Sequence, residues 1–392
     1  MIPSNTTSIA SSNSTTAEWF IGIMSGTSLD GIDLAAIEFT GDRVTKILTK
    51  SVAFSDQLKS DLKNLAQATS IEFQKLGEVD VILGRAYADA VQTFGQTQEF
   101  TQHLQLSDVK AIGNHGQTIQ HSPNGDRPFT WQIGDPHQIC QALSLPVCYD
   151  FRRMDVAAGG QGAPLAPLFH HYFFASQNID PSTLIILNLG GIANITQLGE
   201  APSGFDTGPA NTLIDNWCLR HQQTPFDTGG AWGAQGQCNS TLLQTLLQHP
   251  YFSQPPPKST GPEIFNLIWL ESILKDLPFV SPVDVQATLY QFTIETIALA
   301  IEAQVLDADL PNINVVVAGG GVENTVLMKG LEDRLQRCAS VQSSNHFGID
   351  PDFLEAAAFA WLARARFHQQ ILNTRPFTGA AHPLVLGSMI LP

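Results

Sequence analysis

Apolar runs in this chain are broken by turns of small residues, and the same figure recurs. Residues 19–24 and 32–39 bracket "SGTSLDG", and the second run alternates in part, Ile32, Leu34 and Ala36 against Asp33, Ala35 and Ile37. That pattern predicts two strands around a turn. "STLIILNLGGIANITQLG" repeats it as strand, Gly-Gly turn and strand, and "INVVVAGGGVENTVLMKGL" reads as strand, Gly-rich turn and helix. A further strand ends at Ala111-Ile112-Gly113 and runs into "NHGQTIQHSP", and "LPVCYDF" makes another. Between the strands, helical spacing spans 55–68 and 70–94, the latter through Val79, Ile82, Leu83, Ala86, Ala90 and Val91. It returns over 210–222, 261–277, 283–305 and 353–370. Strands alternating with helices predict α/β layering. Two halves that each open on a hairpin with a Gly/Ser/Thr turn predict an internally duplicated nucleotide-binding fold.

At 392 residues the chain exceeds one ordinary core, so two lobes are expected. Apolar content of 43% with 14% charged residues is that of a globular protein. The formal charge of −16 argues against nucleic-acid and anionic-membrane partners, which need a basic footprint. It leaves a nucleotide open, since backbone N–H groups and a metal can hold one locally. Cys140, Cys148, Cys218, Cys238 and Cys338 are scattered and odd in number, which points to reduced thiols in the cytoplasm. The opening "MIPSNTTSIASSNSTTAE" lacks Lys, Arg and an apolar core, so a disordered tail over 1–18 is expected, not a signal peptide. No apolar run approaches the ~20 residues of a membrane helix.

"GIMSGTSLDGID", "GNHGQTIQHSP", "TWQIGDPHQIC", "DFRRMDVAAGGQGAPLAPLFH", "NLGGIANIT", "GFDTGPANTLIDNW", "PPPKSTGPEIFN" and "VVAGGGVENTVLM" stand in order from about residue 20 to the end. Together they resemble the anhydro-N-acetylmuramic acid kinases. The resemblance implies a two-lobed actin-like ATPase (ribonuclease H-like) fold with ATP in the cleft between the lobes. Lobe I would take 19–150 plus about 350–392, and lobe II 151–349. It also implies a reaction: water opens a 1,6-anhydro ring and O6 is phosphorylated in the same turnover. ATP, Mg²⁺, an amino-sugar substrate and a homodimer come with it.

Each motif also has a physical reading. In "SGTSLDG", Gly26 and Gly31 let backbone approach an anion, and N–H groups with the Thr27 and Ser28 hydroxyls can bond phosphate. Alone, the stretch is equally well a polar hairpin turn at Asp30-Gly31. The resemblance makes it the first phosphate loop, with Leu29 and Ile32 in it and Asp30 or Asp33 holding Mg²⁺ through water. Gly190 and Gly191 resemble the second phosphate loop, and Gly319, Gly320, Gly321 and Asn324 the adenosine turn; a plain hairpin or a lone G-G-G is the competing reading.

Asp206 precedes Pro209 and suits the first turn of the following helix, whose N-terminus favours an anion. An N-cap without chemistry is the alternative; the resemblance makes Asp206 the general base. Asp150, Arg152, Arg153 and Asp155 read as a surface ion-pair run. The resemblance makes Arg152 the partner of the sugar's lactyl carboxylate and Asp155 a sugar contact, with Met154 where the family often has a third arginine. His115, Gln117 and Thr118 stand at a strand end, where α/β sheets bind ligands, and are expected near the sugar. Glu355 reaches the sugar or opens a helix. Lys258, Ser259 and Thr260 carry no assignable role, and Pro262 replaces a common family arginine. Two rival functions remain: a sugar or nucleotide sensor of the same fold, and a different enzyme of the superfamily.

Overall fold

The computed structural model describes residues 16–26, 29, 31–199, 203–256, 258–308 and 313–392. The expected tail up to Thr15, and Thr27, Ser28 and Asp30 of the expected first phosphate loop, lie outside the described residues. Chain contacts divide the molecule into two compact units. The first holds the chain to Ala158 with Ala356–Leu372 and Pro383–Pro392; the second holds Gly159–Glu355 with Asn373–His382.

Unit 1 contains β1 (Glu18–Met24), β2 (Ile32–Thr40), β3 (Arg43–Val52), β4 (Val109–Asn114), β5 (Gln117–Ser122), β6 (Phe129–Ile133) and β7 (Val147–Tyr149). β1, β2 and β3 form an antiparallel meander. β4 lies parallel to β1 on its other side, and β7 lies parallel to β4. The short strand Ser388–Ile390 closes that edge of the sheet, while β5 and β6 make a separate hairpin. One face buries Ile21, Ile23, Leu34 and Ala36 against Val79, Leu83, Tyr87 and Val91 of the helix Phe73–Gly95. On the other face Gly22 and Gly113 stand in register. A methyl at either would overlap the backbone carbonyls of Ala356 or Phe359, so this bare patch lets a helix backbone lie directly on the sheet.

Unit 2 contains β8 (Leu184–Leu189), β9 (Ile192–Gln197), β10 (Ser203–Pro209), β11 (Ile313–Ala318) and β12 (Ala339–Ser343). Its order is β10-β9-β8-β11-β12, with β8 to β10 antiparallel and β11 and β12 parallel to β8. The two sheets thus share one plan: a three-strand meander whose first strand pairs in parallel with the fourth. That repeat is the internally duplicated α/β plan that the recurring hairpin pattern predicts. One face of unit 2 buries Ile185, Leu187, Leu189, Ala193 and Ile195 beneath Phe292, Ile297 and Ile301 of the long helix Pro282–Ala308.

Several elements depart from the sequence pattern. The expected helix over 261–277 is confined to Leu267–Lys275, because Asn266 caps it by accepting from the Trp269 N–H at 3.1 Å. The helix Leu354–Phe367 is not a simple amphipathic one. Its stretch 356–365 is buried on every side, which its run of alanines permits. Among the described residues no helix is long and apolar enough to cross a membrane.

Candidate active site

In unit 1 the turn after β1 is closed by the Leu29 N–H donating to the Gly26 carbonyl at 3.2 Å, with Leu29 at φ +58°. The same carbonyl accepts from Gln117 Nε2 at 3.2 Å, so the polar end of β5 steadies the loop. Ile32 and Asp33 open β2, where Asp33 faces Met24 across the ladder. A side chain at Gly31 would press on the Val52 carbonyl at 3.0 Å, so close packing already asks for glycine there. Among the described residues no group of three or more His, Cys, Asp or Glu could hold a metal.

His115 follows β4 and is buried against the Phe359 ring at 4.6 Å. Its Nε2 accepts from Arg152 Nη2 at 2.9 Å and Nε at 3.1 Å. Burial first, and the neighbouring guanidinium second, hold its pKa well below the ordinary 6.5. The imidazole is therefore neutral, with its proton on Nδ1, and it aims the arginine. Thr118 accepts from Gln132 Nε2 at 3.2 Å, and Asp155 is buried in the short helix Arg153–Ala157. Arg153, not Arg152, lines a cavity of about 140 Å³ with Asp80, His115, Trp131, Tyr149 and Asp150. Asp150 adopts φ +56° and lies 3.6 Å from Arg153, and desolvation raises its pKa.

In unit 2 the glycine turns are built from within. The Gly190 carbonyl accepts from the Asn211 N–H at 3.1 Å, and the Gly191 carbonyl from Ala210 and Thr212, each at 3.0 Å. The N-terminus of the helix Asn211–Gln222 is thereby docked on the turn between β8 and β9. Gly319 has φ +82°, and a Cβ there would lie 2.6 Å from Asn188 Oδ1; one at Gly321 would lie 2.6 Å from Leu189 Cβ. Packing dictates those two glycines, whereas a Cβ at Gly320 would meet only Asp352 Oδ1, at 4.0 Å. Asn324 is engaged as a cap: its Oδ1 accepts from Val326 and Leu327 N–H, and its Nδ2 donates to Tyr290 OH at 3.1 Å.

Asp206 corrects the sequence expectation. It sits within β10, and the helix starts only at Asn211 with Ala210 ahead of it and no side-chain cap. Its carboxylate is served instead by a distant turn. Oδ2 accepts from Ser259 Oγ at 2.7 Å and from the Thr260 N–H at 2.9 Å. Asp206 stands opposite Asn194 on β9, which stands opposite Asn188 on β8. Directly paired residues share a face, so the three form one polar row. Beside that row lies a cavity of about 290 Å³ whose wall includes His170, Asn188, Asn194, Thr196, Gly319 and Glu355. Burial pulls the pKa of His170 down to about 4, leaving it neutral. Glu355, in the first turn of its helix, is exposed. Sequence reasoning missed Asn188, Asn194, Thr196 and His170. The signal for the first three is polar residues at alternate places in "LNL" and "ANIT", strands otherwise apolar.

A family model described as anhydro-N-acetylmuramic acid kinase matches residues 18–392. A protein of that name from Xanthomonas axonopodis pv. citri is 44% identical over 377 residues, 94% of this chain and 97% of its own. Its namesake from Haemophilus influenzae is 41% identical, covering 95% of this chain and 97% of its own. One from Sulfurimonas denitrificans is 38% identical, covering 95% and 99%.

Proposed function

Because the chain belongs to the anhydro-N-acetylmuramic acid kinases, we propose that it opens the 1,6-anhydro ring of anhydro-N-acetylmuramic acid with water and moves the γ-phosphoryl group of ATP to O6. The product is N-acetylmuramic acid 6-phosphate. The observation that carries the site assignment is Asp206: one oxygen is engaged, Oδ1 has no protein partner among the described residues, and a polar row and cavity lie alongside.

In this reading Asp206 Oδ1 takes a proton from the water that attacks C1. The C1–O6 bond breaks, O6 attacks the γ-phosphorus, and the bond to ADP breaks. A carboxylate is a weak base for water, but it suffices where the acetal carbon gains oxocarbenium character. Arg152, aimed by neutral His115, binds the lactyl carboxylate, with Gln117, Thr118, Asp155 and Glu355 as further sugar contacts. The loops of Gly26, Thr27, Ser28, Leu29, Asp30, Gly31 and Ile32, of Gly190 and Gly191, and of Gly319 to Gly321 hold ATP, with Asn324 bracing the last. Asp30 or Asp33 would hold Mg²⁺ through water, and the ion would neutralise charge developing on the phosphoryl group. A cytoplasmic homodimer completes the reading; the cysteines Cys140, Cys148, Cys218, Cys238 and Cys338 are free, as a reducing compartment would keep them.

The test is mass spectrometry of the product formed from ATP, Mg²⁺ and 1,6-anhydro-N-acetylmuramic acid in ¹⁸O-labelled water. Gain of one phosphate with one labelled oxygen at C1 supports the reaction. ADP formation with the sugar untouched refutes it, and sugar binding without any turnover would favour a sensor.

A further inference from the structure

"KSTG" is the motif left without a role by the reaction. β10 is the edge of its sheet, where outward N–H and C=O groups lack a strand partner. At Asp206 they are met from elsewhere. Its N–H donates to the Lys258 carbonyl at 3.2 Å, and its carbonyl accepts from Tyr251 OH at 2.5 Å. With Ser259 Oγ and the Thr260 N–H on Oδ2, each of its polar atoms except Oδ1 is held by residues of one short segment. That segment is tied to itself by Lys258, whose Nζ donates to the carbonyls of Tyr251 at 3.2 Å and Phe252 at 3.5 Å. The ammonium also lies 4.7 Å from the Tyr251 ring centre and 5.8 Å from that of Phe205. It is turned onto the loop rather than toward solvent, a position that suits holding a shape.

We propose that Lys258, Ser259 and Thr260 form a clamp that orients the carboxylate of Asp206, committing Oδ2 so that Oδ1 alone accepts the proton. The clamp rests on Asp206 being the base. The torsion that swings a carboxylate is broad and nearly two-fold, so an unheld aspartate presents either oxygen in many planes. Two donors on one oxygen select the plane and the face, and such charge-assisted bonds are the stronger kind. Ser259 is thus a positioning residue: it acts through Asp206 and touches no reacting atom. Its bond is made by a hydroxyl, which threonine can supply and alanine cannot.

Steady-state kinetics of Asp206→Asn, Ser259→Ala and Ser259→Thr, with melting curves for each, test the clamp. Ser259→Ala is expected to lower kcat about tenfold, by analogy with the cost of small misplacements of reacting groups. KM for sugar and for ATP should stay within about twofold and the melting temperature should hold, since the lost bond is at the surface. Ser259→Thr should restore most of kcat. An unchanged kcat in Ser259→Ala beside an inactive Asp206→Asn overturns the clamp and spares the base. A raised sugar KM at constant kcat also overturns it, making Ser259 a sugar contact, as does failure of threonine to restore. Turnover retained by Asp206→Asn removes the base itself, a different result from any of these.

Discussion

At the scale of single residues, the two assignments that matter most respond differently to mutation. Asparagine at 206 can still accept from Ser259 and Thr260 through its amide oxygen, so the local geometry survives while the proton acceptor is gone. Asp206→Asn should therefore keep ATP and sugar affinity in calorimetry and lose roughly 10²-fold or more of turnover. Turnover near the wild-type level would refute the base. Arg152→Ala removes a guanidinium that His115 orients, and should raise the sugar KM about tenfold or more while leaving that for ATP within about twofold. An unchanged sugar KM would move the lactyl carboxylate to another cation, Arg153 being the one that lines a cavity in the same unit. Asp206 and Arg152 stand out in the sequence through the resemblance of "GFDTGP" and "DFRR" to the family's motifs; the residues alone read as a helix cap and a surface ion-pair run. Their partners do not stand out. Ser259 lies 53 positions from Asp206 and His115 lies 37 from Arg152, and no local pattern encodes contacts over such separations.

At the scale of elements, long apolar runs were readable and short polar ones were not. β1, β2, β8 and β11 show as apolar stretches because they are the central strands of their sheets. β10 reads "SGFDTGP", with two glycines and a terminal proline; it becomes a strand because β9 offers a free edge for it to pair with. The helix Asn211–Gln222 was legible, but not the charge inside it. Desolvation first, and Asp227 second, raise the pKa of Asp215 to about 6 from the ordinary 3.8. A folded-state value above the unfolded one means the fold prefers the protonated acid. This contribution to stability is full below about pH 4, is lost as pH rises to about 6, and is level above that. The loss is on the order of 2 kcal/mol. Asp215→Asn should thus raise the melting temperature by about a few degrees at pH 7–8 and change it little at pH 4. Equal melting curves for variant and wild type at pH 8 would show that Asp215 ionises there without cost.

At the scale of the whole molecule, the repeated hairpin figure foretold the repeated sheet, since a parallel fourth strand beside a meander is how both units complete their cores. Charge then sets a problem that the fold alone leaves standing. The chain carries a formal −16, and the substrates proposed for it are a carboxylated sugar and a triphosphate. At physiological ionic strength charges more than about 8 Å apart are largely screened, so local groups decide whether the triphosphate binds. Glycine-turn N–H groups can bond phosphate oxygens, yet Asp33, opening β2 beside the turn proposed to hold phosphate, adds negative charge where ATP would add more. A divalent cation between the carboxylate and the phosphates would resolve this. Removal of divalent cations with a chelator should therefore abolish both ATP affinity and turnover, and Mg²⁺ should restore them. Asp33→Asn should raise the Mg²⁺ concentration needed for half-maximal rate by about tenfold while leaving sugar affinity alone. If the chelated protein binds ATP as tightly as before, Asp33 does not face a cation, and the N–H groups of the loops suffice.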